Sequence, residues 1–173
     1  ASGKDPLQLR RELLAGSPRV LTVLELAAAK AGWGSPAPQG HARGLAVHEC
    51  FGSICAQVAE VSLDGNTPRV HRVVAAFDCG RAVNPLTIEA QVQGGIAFGL
   101  APALFSAITL KDGACEQSNF HDYRVLRMNE MPRVEVHLVP SDANPGGVGE
   151  VGVPPVAPAV ANALFALTGK RIR

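Results

Sequence analysis

The chain has 173 residues, enough for one domain or two small lobes with a proper core. Sixteen Lys and Arg stand against fifteen Asp and Glu, a formal net charge of +1, so charge gives no drive toward nucleic acid or an anionic membrane surface. The basic clusters Arg10-Arg11 and Lys170-Arg171-Ile172-Arg173 are too short to be binding tracts.

Asp5-Pro6 reads as an N-cap followed by proline in the first helical turn. Leu7, Leu13 and Leu14 fall on one side before Gly16 ends the helix. Ser17-Pro18 repeats the signal and opens a second helix, with Val20, Leu24, Ala27, Ala28 and Ala31 apolar and Gly32 as its stop. These two make a helical hairpin over residues 1–34. Residues 35–43, which include Ser35-Pro36-Ala37-Pro38-Gln39-Gly40, form a linker and the best boundary in the chain.

From residue 44 the pattern changes to strands. Residues 45–49, 54–63 and 69–77 are β-branched or alternating, with Asp64-Gly65-Asn66 as a hairpin signal between the last two. Asn84-Pro85 caps a helix running to about Leu100, whose apolar stripe is Ile88, Val92, Ile96 and Leu100. Gly95 and Gly99 lie one turn apart on that side, leaving room for another backbone or a ligand. Further strands are expected at 104–110, before the Lys111-Asp112-Gly113 turn, and at the alternating Val134, Val136 and Leu138. Residues 119–131 are polar and irregular, and 155–167 form a last helix closed by Gly169. The sum is an α+β fold: an N-terminal helical hairpin, then a mixed, mainly antiparallel sheet with packed helices over residues 44–173. The stretch 151–169 carries no charge, but Pro154, Pro155, Pro158 and Asn162 make it a buried helix and not a membrane span.

The densest chemical signal is Pro145-Gly146-Gly147-Val148-Gly149-Glu150-Val151-Gly152-Val153-Pro154-Pro155. One acid, Glu150, sits among four glycines and leads into a Pro-Pro step and a helix. Held between bare backbone and a helix start, it is a candidate general base; the bland alternative is a loop carboxylate that caps the helix. Residues 147–152 also satisfy G-x-G-x-x-G, but a dinucleotide site needs a second strand after the helix and an acid about 20 residues on. The chain ends soon after one helix, so a nicotinamide cofactor is rejected. Cys50, Cys55, Cys79 and Cys115 lack a metal signature, because the C-x2-C that should follow Cys50-x4-Cys55 is missing. They read as small buried thiols. The five histidines stand singly, which speaks against zinc. His48-Glu49 reads as a strand-end pair bonded to the backbone.

Several of these motifs, in order, resemble the molybdenum hydroxylases. They are Gly44-Leu45-Ala46-Val47-His48-Glu49, Phe51-Gly52-Ser53, Asp78-Cys79-Gly80, Asn84-Pro85, Gln91-Val92-Gln93-Gly94-Gly95, Asn119-Phe120-His121-Asp122-Tyr123 and Gly149-Glu150. The similarity is to the C-terminal part of the large (β) subunit in the branch of isoquinoline 1-oxidoreductase and related aldehyde dehydrogenases, within the xanthine dehydrogenase–aldehyde oxidase superfamily. It runs from about Asp5 to the last residue. The resemblance implies that Glu150 is the catalytic glutamate beside a molybdenum–molybdopterin cofactor, expected in its cytosine dinucleotide form. It implies that Gly147, Val148 and Gly149 press their backbone toward that cofactor, that Gln91 contacts its phosphate end, and that Gly94 and Gly95 pack beside it. A small 2Fe–2S (α) subunit and the rest of the large subunit are the implied partners, and N-heterocycles or aldehydes the implied substrates. Segments carrying the first pterin-binding loops are not matched here, so the isolated chain is expected to be inactive, to hold no metal and to self-associate. Two function classes stay open: a segment of a hydroxylase, or a non-catalytic module of the same fold.

Overall fold

The computed structural model describes residues 3–172. Ala1, where the helical hairpin is expected to begin, and Arg173, the last member of the C-terminal basic cluster, lie outside them. Helix α1 (Pro6–Leu13) starts where Asp5 accepts hydrogen bonds from the backbone N–H of Leu7 and Gln8. Helix α2 (Pro18–Ala31) ends at Gly32, which takes φ 68° so that its N–H reaches the carbonyls of Ala28 and Ala29. Leu7 is buried and Leu14 half-buried, but Leu13 is 74% exposed. The expected grouping of Leu13 with them is corrected: it lies on the solvent side of a helix barely two turns long.

Strands β1 (His41–Cys50), β2 (Ser53–Asp64) and β3 (Thr67–Asp78) form an antiparallel meander. Gly65, at φ 59°, takes the first position of the two-residue turn between β2 and β3. Strand β6 (Arg133–Leu138) adds in parallel to β3, giving the order β1-β2-β3-β6 and a mixed sheet. β4 (Leu110–Lys111) and β5 (Ala114–Cys115) make a separate two-residue hairpin through Asp112-Gly113.

Two corrections concern the middle of the chain. Helix α3 spans Pro85–Leu104, passing the expected stop at Leu100, and the strand expected at 104–110 is only Leu110–Lys111. Pro102 does not end the helix. The carbonyl it cannot bond is that of Phe98, on an exposed helical face.

Side-chain alternation in the sheet sorts the core into two layers. Leu45, Ile54, Ala56, Val58, Val74 and Ala76 face α1 and α2. Ala46, Cys55, Ala59, Val73, Ala75 and Phe77 face α3 and the last helix, α4 (Val156–Thr168). A β-bulge opposite Glu60 and Val61, with His71 as the extra residue of β3, lets Val70 keep to the second face with Val73. Helix α4 lies directly on β1 because Gly44 has no side chain: a Cβ there would sit 2.2 Å from the Ala159 carbonyl oxygen and from the Ala163 nitrogen. Thus one face of the sheet carries the helical hairpin, and the other carries α3, α4 and the glycine-rich segment between β6 and α4. Among the described residues, no helix is long and apolar enough to cross a membrane.

Candidate active site

Residues 143–155 are strapped across the α3–α4 side of the sheet by bonds from four elements. The turn after β3 holds the start. Gly80 takes φ 73°, Arg81 N–H donates to the Ala143 carbonyl (3.0 Å), and Gly146 N–H donates to the Cys79 carbonyl (2.8 Å). Asp78 fixes that turn, accepting from Gly80 N–H and forming a two-point ion pair with Arg19 of α2 at 2.7 and 2.9 Å. The Arg19 guanidinium foremost, aided by the Gly80 N–H, pulls the Asp78 carboxyl below its ordinary value despite burial. Next, Gly147 N–H donates to the Phe51 carbonyl in the β1–β2 turn (2.8 Å). The side-chain amide of Gln91 in α3 donates to the Gly149 carbonyl (2.7 Å), and that of Gln57 in β2 donates to the Gly152 carbonyl (2.7 Å). Within the strap, Val153 N–H closes a turn on the Glu150 carbonyl (2.9 Å).

This strap forms one side of a cavity of about 590 Å³, lined by His48, Cys50, Phe51, Gln91, Gly94, Gly95, Phe98, Gly149, Glu150, Val153 and Pro154. Five of the residues singled out from the sequence therefore meet there: Glu150, Gln91, Gly94, Gly95 and Gly149. Gly147 and Val148 do not line it. Gly147 is pressed on Phe51, where an added Cβ would come within 2.8 Å of the Phe51 Cβ, and Val148 packs on the core. A Cβ on Gly95 would sit 3.5 Å from the Gly152 Cα and one on Gly99 would run into Val153 and Val156, so the paired glycines of α3 let the strap lie close. Gly94 and Gly149 offer bare backbone to the cavity, where a Cβ on either would meet nothing within 4 Å.

The sequence did not single out Cys50, Phe98 or Gln57, nor the cavity roles of His48 and Phe51. A signal existed for two of them: His48 and Cys50 follow Ala46 at a spacing of two along β1, on the face toward α3 and α4. His48 thus opens on the cavity, and among the described residues neither it nor Glu49 makes the expected side-chain bond to the backbone. Burial, and then the neighbouring charge of Glu150, push the Cys50 thiol up. The expectation of buried thiols holds for Cys55 and Cys79, whereas Cys115 is exposed. In the Asn119–Tyr123 motif Asp122 accepts from Ser118 and Asn119 N–H, which ties the loop together, and none of its residues lines the cavity. Among the described residues no group of three His, Cys, Asp or Glu side chains is placed to hold a metal ion. The described residues alone therefore do not supply a metal's ligand set.

The molybdopterin cofactor-binding domain family matches residues 25–132, more than half of the chain. The chain is 37% identical to isoquinoline 1-oxidoreductase subunit beta of Brevundimonas diminuta over 98% of its own length, which takes in the Glu150 strap. It is 32% identical, over 98% of its length, to the membrane-bound aldehyde dehydrogenase (pyrroloquinoline-quinone) of Gluconacetobacter polyoxogenes. It spans only 22% and 25% of those two proteins. Quinoline 2-oxidoreductase from Pseudomonas putida 86 shares the fold, with a TM-score of 0.64 and 24% identity over 69% of this chain and 17% of that one. The chain belongs to the molybdopterin cofactor-binding domain family of the xanthine-oxidase-type molybdenum hydroxylases.

Proposed function

We propose that the chain supplies one wall of the active site in the large subunit of a molybdenum hydroxylase. That enzyme would oxidise N-heteroaromatic compounds of the isoquinoline kind, or aldehydes, with water as oxygen donor. The observation that carries this reading is the placement of Glu150, on a strap braced from β2 and α3, in a cavity with bare backbone at Gly94 and Gly149. A pterin-held molybdenum fits these residues, since the open glycines admit a flat ligand against the backbone and Gln91 keeps a second amide hydrogen beyond the one given to Gly149. When bound, that group supplies a Lewis acid and an acceptor for two electrons. Glu150 acts as general base, taking the proton from the water-derived oxygen as it attacks an electron-poor carbon, whose C–H bond breaks with its electron pair going to that two-electron acceptor. Phe51, Phe98, Val153 and Pro154 give the cavity an apolar rim that offers flat faces to a planar substrate beside the exposed Glu150. The cofactor is read as the cytosine dinucleotide form. The electrons are read as passing to a small 2Fe–2S partner, and the isoquinoline relative is itself named as a subunit.

Glu150→Gln in the full-length subunit with its iron–sulfur partner tests the reading. It preserves size and hydrogen bonding but removes the proton-accepting charge. Molybdenum content and KM should stay near wild type while turnover falls by about 10²–10⁴-fold. Full molybdenum occupancy with near-normal turnover would overturn the assignment; the helix cap expected as the bland alternative is not formed either, since the N-cap of α4 is Pro155 and takes no side-chain bond.

A further inference from the structure

We infer that Gln57 and Gln91 are paired positioning residues that grip the backbone on either side of Glu150, an inference that rests on the general-base reading above. Gln91 bonds the carbonyl one residue before Glu150 and Gln57 the carbonyl two residues after it, both at 2.7 Å. They reach in from different elements, 58 and 95 residues away in sequence. With the Val153 N–H on the Glu150 carbonyl, three of the four peptides from Gly149 to Val153 are tied, the one between Val151 and Gly152 excepted. A carboxylate on a glycine-rich strap would otherwise swing, and general-base efficiency depends steeply on position.

Gln57 is the telling member. It is 0% exposed in the middle of the central strand β2, where its neighbours Ala56 and Val58 are apolar core. Its Oε1 is buried with no hydrogen-bond partner. A stranded acceptor costs about 1–3 kcal/mol, the same size as leaving the buried Gly152 carbonyl without its donor, so the amide yields no net stability over an apolar side chain of the same length. Stability alone therefore gives no reason for an amide here, whereas its N–H on the strap does. Gln91 is exposed on the cavity side and makes the matching bond from solvent-accessible ground.

Gln57→Met fills the same space and deletes the donor. In the full-length subunit with its partner, molybdenum content and KM should match wild type, while kcat falls about 10- to 100-fold. The melting temperature should stay close to wild type, because relief of the stranded Gln57 oxygen offsets the newly unpaired Gly152 carbonyl. In the isolated chain, hydrogen exchange at the Val153 amide should quicken about tenfold relative to the β2 and β3 amides. Gln91→Met, at an exposed position where folding is not at stake, should quicken the same amide. Unchanged exchange in both variants, or quickened exchange with unaltered kcat, would overturn the inference, as would a lower melting temperature with normal kcat. Wild-type turnover and Glu150→Gln judge the general-base reading separately, and exchange at Val153 judges the grip without any bound cofactor.

Discussion

Phe51 shows how a site residue can hide from sequence reading. The Cys50–Ser53 pair leaves Phe51-Gly52 as a two-residue hairpin turn, with φ of 52° and 75°. Such turns favour Asn-Gly, because only small or amide side chains tolerate a left-handed backbone at the first position. An aromatic there costs about 1–2 kcal/mol. The strain puts a 65% exposed ring on the cavity rim and aims its carbonyl at Gly147. Phe51→Asn should therefore stabilise the chain by about 1 kcal/mol, seen as a higher urea midpoint with unchanged slope. A lower midpoint would mean that the ring contributes more through packing than the turn costs. Nothing in the residue pattern marks Phe-Gly as a turn, since aromatics normally signal strand. The place of Glu150 at the cavity was legible for the opposite reason: an acid enclosed by glycines stands out from its surroundings. Gln57 was illegible because one polar residue in an apolar strand says nothing about a carbonyl 95 residues away.

Elements announced themselves wherever local chemistry sets their ends. The Asp5 and Asn84 caps, the prolines after them, and the stops at Gly32 and Gly169 all act within a few residues, and these helix boundaries fell close to where they were expected. What failed depended on distance. Residues 105–109 look strand-like by composition yet find no sheet edge, and Ile108 and Leu110 remain exposed. The parallel pairing of β6 with β3 is fixed by α3 and the long connection between them, which no local pattern encodes. The tie between layers is likewise non-local. Asp78 at the end of β3 anchors α2 through Arg19 and the strap through Gly80. Asp78→Asn should cost about 1.5–3 kcal/mol at pH 7, the scale of a hydrogen bond to a charged partner. The folded carboxyl is held below its unfolded value, so this stability is complete above about pH 4 and drains as pH falls through the lower folded value. Urea unfolding at pH 7 and at pH 3 checks it: the gap between wild type and variant should shrink at the lower pH. A constant gap would mean that packing and not ionisation carries the link.

At the scale of the whole molecule the surface is too large. A compact monomer of 18.0 kDa is expected to expose about 8,000 Å², whereas this chain exposes 9879 Å². Part of the excess is apolar: Val83, Leu86, Phe98, Phe120 and Met128 are each more than 70% exposed. A second, broader groove of about 1210 Å³ runs beside α4, with Leu9, Trp33, Ala157, Pro158 and Phe165 among its walls. The chain spans about a quarter or less of its relatives, and a protein of their length has further surface to lay against these faces. Taken alone, the chain should self-associate, because contiguous apolar patches favour contact with a second copy. Since net charge is only +1, the association should be apolar in character. Sodium chloride should not dissolve it and sulfate should strengthen it. Light scattering across a concentration series is the measurement, with a mass that climbs above 18.0 kDa as the expected result. A mass fixed at the monomer value, in sulfate as well as in chloride, would mean that the open faces are too broken up by polar groups to drive assembly.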